Sequence, residues 1–72
     1  MNTKAAEKVR HFMYQMVSDL KVVGSHELIG TTSTAFARHG MSRAEICGQI
    51  LILQDDGRLS FHEGFWVLGR KP

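Results

Sequence analysis

Four histidines and one cysteine are the side chains of this 72-residue chain best suited to bind a metal ion or act as nucleophiles. The sequence contains no H-x-x-x-H pair and no second thiol, whereas a structural zinc site needs several such ligands at short spacings. We therefore expect no metal. Cys47 is interpreted as a small, half-buried hydrophobe and not as a nucleophile paired with His39. The remaining histidines are His11, His26 and His62.

Two adjacent carboxylates, Asp55 and Asp56, are the other candidates for acid and base chemistry. Because Gly57 follows them directly, the pattern predicts a turn and not a catalytic pair. Several glycines are isolated, and none belongs to a glycine-rich loop that could hold a phosphate. The sequence thus predicts a protein that is not an enzyme and needs no cofactor.

The size and composition of the chain exclude several classes of protein. Seventy-two residues suit one small domain, residues 1–72, and a lone cysteine excludes an internal disulfide. The densest apolar run, Ile50 to Leu53, is far shorter than a membrane span requires. We expect a cytoplasmic protein that does not enter a membrane.

The charges are mildly segregated along the chain. Nine Lys and Arg against seven Asp and Glu leave a net charge of only +2. From Leu28 to Ala44, however, there is no acid, and Arg38, His39 and Arg43 lie within that window. This placement weakly favours a polyanionic partner.

The first half of the chain is predicted to be helical. Apolar residues at spacings of three and four predict a bracing helix from Thr3 to about Val22, which Gly24 can end. Ser25 is a candidate N-cap for the next helical segment. The stretch from Ser25 to Arg38 is either one kinked helix or two short helices, before a turn at His39-Gly40.

A capping box is the clearest local signature. Ser42 and Glu45 have the spacing at which each side chain can hydrogen-bond the backbone N–H group of the other. Ile46, Ile50 and Leu53 then favour a helix that runs to about Asp55. The alternative is a buried strand over residues 49–54.

The C-terminal segment predicts a β-hairpin with two possible registers. A three-residue loop, His62-Glu63-Gly64, would place Leu59, Phe61, Phe65 and Val67 on one face. A two-residue Glu63-Gly64 turn would instead group Leu59, Phe61, Trp66 and Leu68.

The stretch from Ser42 to Leu59, with its Asp56-Gly57-Arg58-Leu59 turn and the returning run Phe65 to Leu68, resembles winged helix-turn-helix proteins. The resemblance covers about residues 25–68. It implies an α+β fold with three helices and a C-terminal β-hairpin. The parts would be a bracing helix at 1–23, a helix-turn-helix at 25–55 and a wing at 57–69.

The resemblance also implies a small, sequence-specific transcriptional regulator that binds double-stranded DNA. Ser42, Arg43 and Ala44 would face the major groove, with Arg43 the best reader of guanine and Gln49 a further reader if its face is exposed. The remaining implied contacts are Thr32, Thr34, Arg38 and His39 on the helix-turn-helix side and Arg58, Arg70 and Lys71 on the wing side.

We expect a homodimer, because one such domain buries limited area on DNA. Several departures weaken the resemblance. Phe36 stands where the helix before the turn would normally present Ala, and Glu63 would place an acid at the wing tip. Cys47 and Gly48 stand where polar or basic residues that contact bases are usual. The alternative is therefore a non-catalytic adaptor or inhibitor that binds a protein partner. It would use apolar residues that so small a core cannot cover, namely Leu51, Ile52, Phe65 and Trp66.

Overall fold

The computed structural model describes residues 3–70, beginning with helix α1 (Thr3–Leu20). Its core-facing residues Val9, Met13 and Val17 recur every four positions and are fully buried. The helix ends before the position predicted from the sequence. Lys21 adopts a positive φ of 71°, and its N–H donates to the Val17 carbonyl at 2.7 Å.

Strand β1 (Val22–Gly24) comes next, so the prediction of helix to Val22 with Gly24 as its end is wrong. The two valines are β-branched, and such residues favour a β-strand over a helix. Their partner is the last strand of the chain, a contact that no local pattern reveals.

Helix α2 (Ser25–Ala35) is a single helix, and a short 3₁₀ turn (Ala37–His39) follows it. Gly24 is the N-cap residue, so the expectation that Ser25 caps this helix is wrong. The Ser25 hydroxyl instead accepts a hydrogen bond from the Trp66 indole nitrogen at 3.0 Å.

Helix α3 (Arg43–Asp55) confirms the predicted helix and excludes the alternative strand over residues 49–54. Both hydrogen bonds of the Ser42–Glu45 capping box are present. Gly40 ends the preceding turn at φ 66°, in the left-handed conformation that glycine adopts without strain.

A three-stranded antiparallel sheet completes the fold, with β2 (Leu59–His62), β3 (Phe65–Leu68) and the order β1-β3-β2. The hairpin has the two-residue turn, because Glu63 and Gly64 both have positive φ and Phe61 pairs with Trp66. The α+β class with a C-terminal hairpin is confirmed. The core lies between the three helices and one face of the sheet. The hairpin contributes Leu59 and Trp66 to it.

Candidate nucleic-acid interface

The segment that joins α2 to α3 carries exposed cationic side chains and no acid. Arg38 and His39 lie on the 3₁₀ turn, while Ser42 and Arg43 begin α3, and all four are exposed. The Phe36 ring anchors the turn: it packs edge-on against Phe12, with 5.5 Å between ring centroids, and lies 5.4 Å from the His39 ring. The core thus fixes the turn that presents these residues.

The start of α3 is partly occupied by its own capping box. The Glu45 N–H donates to Ser42 Oγ, and the Ser42 N–H donates to the Glu45 carboxylate, each at 3.1 Å. The hydrogen bond from the Ser42 backbone lowers the pKa of Glu45 below its usual value of 4.5, and the bond from the Ser42 side chain lowers it further. A negative carboxylate therefore already lies at this helix terminus. A phosphate there would have only the N–H groups of Arg43 and Ala44 free of the box.

The two arginines of the segment are available for a ligand. Within residues 3–70, the side chains of Arg38 and Arg43 form no hydrogen bond and no ion pair with another residue. Arg10 differs, because its Nη1 donates to Gln49 Oε1 at 2.6 Å. A guanidinium without a protein partner can give all its donors to phosphate or to a base.

Arg58 and Arg70 form a second cationic group, at the base of the hairpin. The Gly69 N–H donates to the Arg58 carbonyl at 2.7 Å, which brings the chain on either side of the hairpin together. The thirteen residues of α3 separate this group from Arg43 by about 20 Å. Asp56 and Glu7 line the same cleft as Arg58 and reduce its positive potential. Lys71, the other predicted wing residue, lies outside the described residues.

Two of the predicted contact residues face the core. Thr32 is completely buried, and its hydroxyl donates to the Leu28 carbonyl at 2.7 Å. Gln49 is only 9% exposed and accepts the hydrogen bond from Arg10. The predictions that Thr32 contacts phosphate and that Gln49 contacts DNA are therefore wrong. Thr34 remains exposed, with its hydroxyl donating to the Gly30 carbonyl at 3.0 Å.

The outward face of α3 is more apolar than a base-reading helix would require. Opposite the buried side of the helix lie Ala44, Gly48, Leu51 and Asp55, and Leu51 is 59% exposed. The sequence could have predicted this shared face. Residues 44, 48, 51 and 55 recur at spacings of four, three and four, so they lie on one side of a helix. Polar readers are thus confined to the first turn of the helix.

Two further properties of residues 3–70 concern metal ions and membranes. Across this part of the chain, no three His, Cys, Asp or Glu side chains are grouped so that they could hold a metal ion. Nor does it contain a helix with the length and apolar character needed to cross a membrane.

Comparison with protein-family models, curated proteins and solved structures found no match for the chain.

Proposed function

We propose that this protein binds double-stranded DNA through the segment from the end of α2 to the first turn of α3. The observation that carries the proposal is the pair Arg38 and Arg43: both are exposed, both lack a protein partner among residues 3–70, and no acid occurs from Leu28 to Ala44. Exposed guanidinium groups match the charge of a phosphate backbone, and the acid that follows them, Glu45, is held in the capping box with Ser42.

The order of the elements supports the proposal. The chain runs helix, strand, helix, helix, hairpin, and β1 pairs with the returning strand of that hairpin. The winged helix-turn-helix resemblance implies three helices followed by a C-terminal hairpin, with α3 as the helix that would enter the major groove; it did not include β1. The function suggested is a small transcriptional regulator.

Each part of the interface has a separate role in this mechanism. Arg43, in the first turn of α3, donates to the two acceptors on a guanine edge, and Ser42 lies beside it. Arg38 and Thr34 contact phosphates and set the position of the helix. Arg58 and Arg70, about 20 Å away along α3, contact phosphates on the wing side.

A salt titration on duplex DNA tests the proposal. We expect the logarithm of the association constant to fall linearly with the logarithm of the salt concentration, because bound cations release counterions from the backbone. Fluorescence anisotropy on a pool of random duplexes measures this. Affinity that is undetectable at low salt, or that does not change with salt, would contradict DNA binding.

Two variants distinguish residues that contact phosphates from residues that contact bases. Arg38→Ala should weaken binding to all sequences similarly and reduce the salt slope by about 1, whereas Arg43→Ala should also relax the preference for one sequence. The matched control is Lys21→Gln, which removes an exposed cation that precedes β1 and α2, a helix about 16 Å long that lies between Lys21 and the 3₁₀ turn in the chain. Equal losses in all three variants would show that the net charge, and not this surface, governs binding.

The outward face of α3 favours a second candidate, a protein-binding adaptor. Leu51 and Ile52 are 59% and 41% exposed, and Asp55 adds negative charge where DNA would lie. An adaptor should retain its partner after nuclease digestion, lose it in Leu51→Glu and keep it in Arg43→Ala. The opposite pattern, with Arg43→Ala alone reducing binding, supports the DNA interface.

A further inference from the structure

A groove runs along the side of α1 that faces α2, and Phe36, which precedes the cationic residues of the proposed DNA interface, lines one end of it. Two depressions of about 740 Å³ and 460 Å³ form it, and Phe12 and Gln15 line both. Its apolar floor is extended by Met16 and Leu20, of which Leu20 is 52% exposed. A solvent-facing groove of this kind on so small a protein indicates a docking surface.

The charges along the groove change sign from one end to the other. Lys4 and Lys8 line the end near the N-terminus of α1. Glu7 lies at the same end, so the two lysines leave a net positive charge there. Asp19 and Glu27 line the opposite end and are both acidic. A surface with this polarity is complementary to the same surface rotated by 180°.

We propose that the groove binds a second copy of this chain, with the two α1 helices antiparallel across a two-fold axis. Lys4 of one copy then lies opposite Asp19 of the other, about 22 Å further along α1, and Lys8 lies near Gln15 and Glu27. Phe12 falls beside the axis. Its ring is already held edge-on against Phe36, so a second Phe12 would meet a rigid aromatic surface.

Charge reversal tests this arrangement. The variants Lys4→Glu/Lys8→Glu and Asp19→Lys/Glu27→Lys place like charges at both ends of the groove, and all four residues are exposed, so the fold should persist. Each variant alone should dimerise at least about tenfold more weakly than the original chain. A 1:1 mixture of the two should restore the dimer as a heterodimer, because their charges are opposite.

Sedimentation equilibrium at low salt distinguishes the 8.1 kDa monomer from its dimer, and circular dichroism checks that both variants fold. A wild-type chain that remains monomeric at millimolar concentration overturns the proposal. So does a dimer that neither reversal weakens, since its contact would then lie on another surface, such as the outer face of the sheet around Val22 and Phe65. The outcome is independent of DNA binding, because no residue of the DNA interface is changed.

Discussion

The indole nitrogen of Trp66 donates a 3.0 Å hydrogen bond to Ser25 Oγ, and this bond joins the last strand of the sheet to the first residue of α2. It explains how Trp66, only 7% exposed, satisfies its polar group inside the core. The strand that carries Trp66, β3, pairs with both β1 and β2, so the bond ties the centre of the sheet to α2.

Removal of this acceptor should destabilise the protein. We expect Ser25→Ala to lower the free energy of unfolding by about 1 kcal/mol, because the indole N–H loses its partner. Urea denaturation followed by far-UV circular dichroism measures the loss in every variant, including those without Trp66. In a Trp66→Phe background the same substitution should cost little, and an unchanged cost there would show that the stabilisation by Ser25 does not come from its bond to Trp66.

Gln49 should support folding and not DNA reading. Gln49→Leu leaves the Arg10 guanidinium without its acceptor, so we expect a loss of about 1–3 kcal/mol in the free energy of unfolding. The control is Gln54→Leu, an exposed position on the same helix, where the change should stay within about 0.5 kcal/mol. At a temperature where Gln49→Leu is folded, its DNA sequence preference should equal that of the original chain; a changed preference would return Gln49 to the interface.

Gly69 should not tolerate a side chain. A Cβ there would overlap the Gly57 carbonyl oxygen and would lie only 2.7 Å from that carbonyl's carbon. Because both contacts are with backbone, we expect Gly69→Ala to cost about 1–3 kcal/mol, by analogy with overpacked cores. Thermal unfolding should show a lower melting temperature, and an unchanged one would mean that the hairpin base can open without cost.

Gly48→Ala is the matched substitution, and we expect it to raise the stability that Gly69→Ala lowers. Gly48 lies in the middle of α3, and apart from its chain neighbours and the adjacent helix backbone no atom lies within 4 Å of the added Cβ. Alanine should stabilise the helix by about 1 kcal/mol, which corresponds to a rise of about 4–8 °C in melting temperature. A fall in melting temperature would contradict the placement of Gly48 at an open position of the helix.

The capping box should make stability sensitive to acid. The pKa of Glu45 is below its usual 4.5 in the folded chain, so its contribution is present above about pH 4.5 and is lost as the pH falls through the lowered value. In Glu45→Gln this contribution is absent. The difference in melting temperature between the two proteins should therefore shrink from pH 7 to pH 3; a difference that stays constant or grows would contradict the charged capping box.

Local hydrogen bonding explains why some elements can be predicted from the sequence. The box at Ser42 and Glu45 closes over four residues, and the Glu63-Gly64 turn requires two residues with positive φ. Both are recognisable from neighbours in the chain, although for the hairpin a three-residue loop is equally compatible with the sequence. Phe61 pairing with Trp66 decides the register, because that pairing directs Trp66 to the core and to Ser25.

The sequence by itself determined the three helical segments, the α+β class, the C-terminal hairpin and the acid-free window around Arg38 and Arg43. Only the tertiary structure decided that Val22–Gly24 is a strand, that Gln49 faces Arg10 and that the charges of α1 line one groove. The physical reason is sequence separation. Strand pairing of β1 with β3 and the Arg10–Gln49 bond join residues about forty positions apart, and such contacts form only when the packed core brings them together.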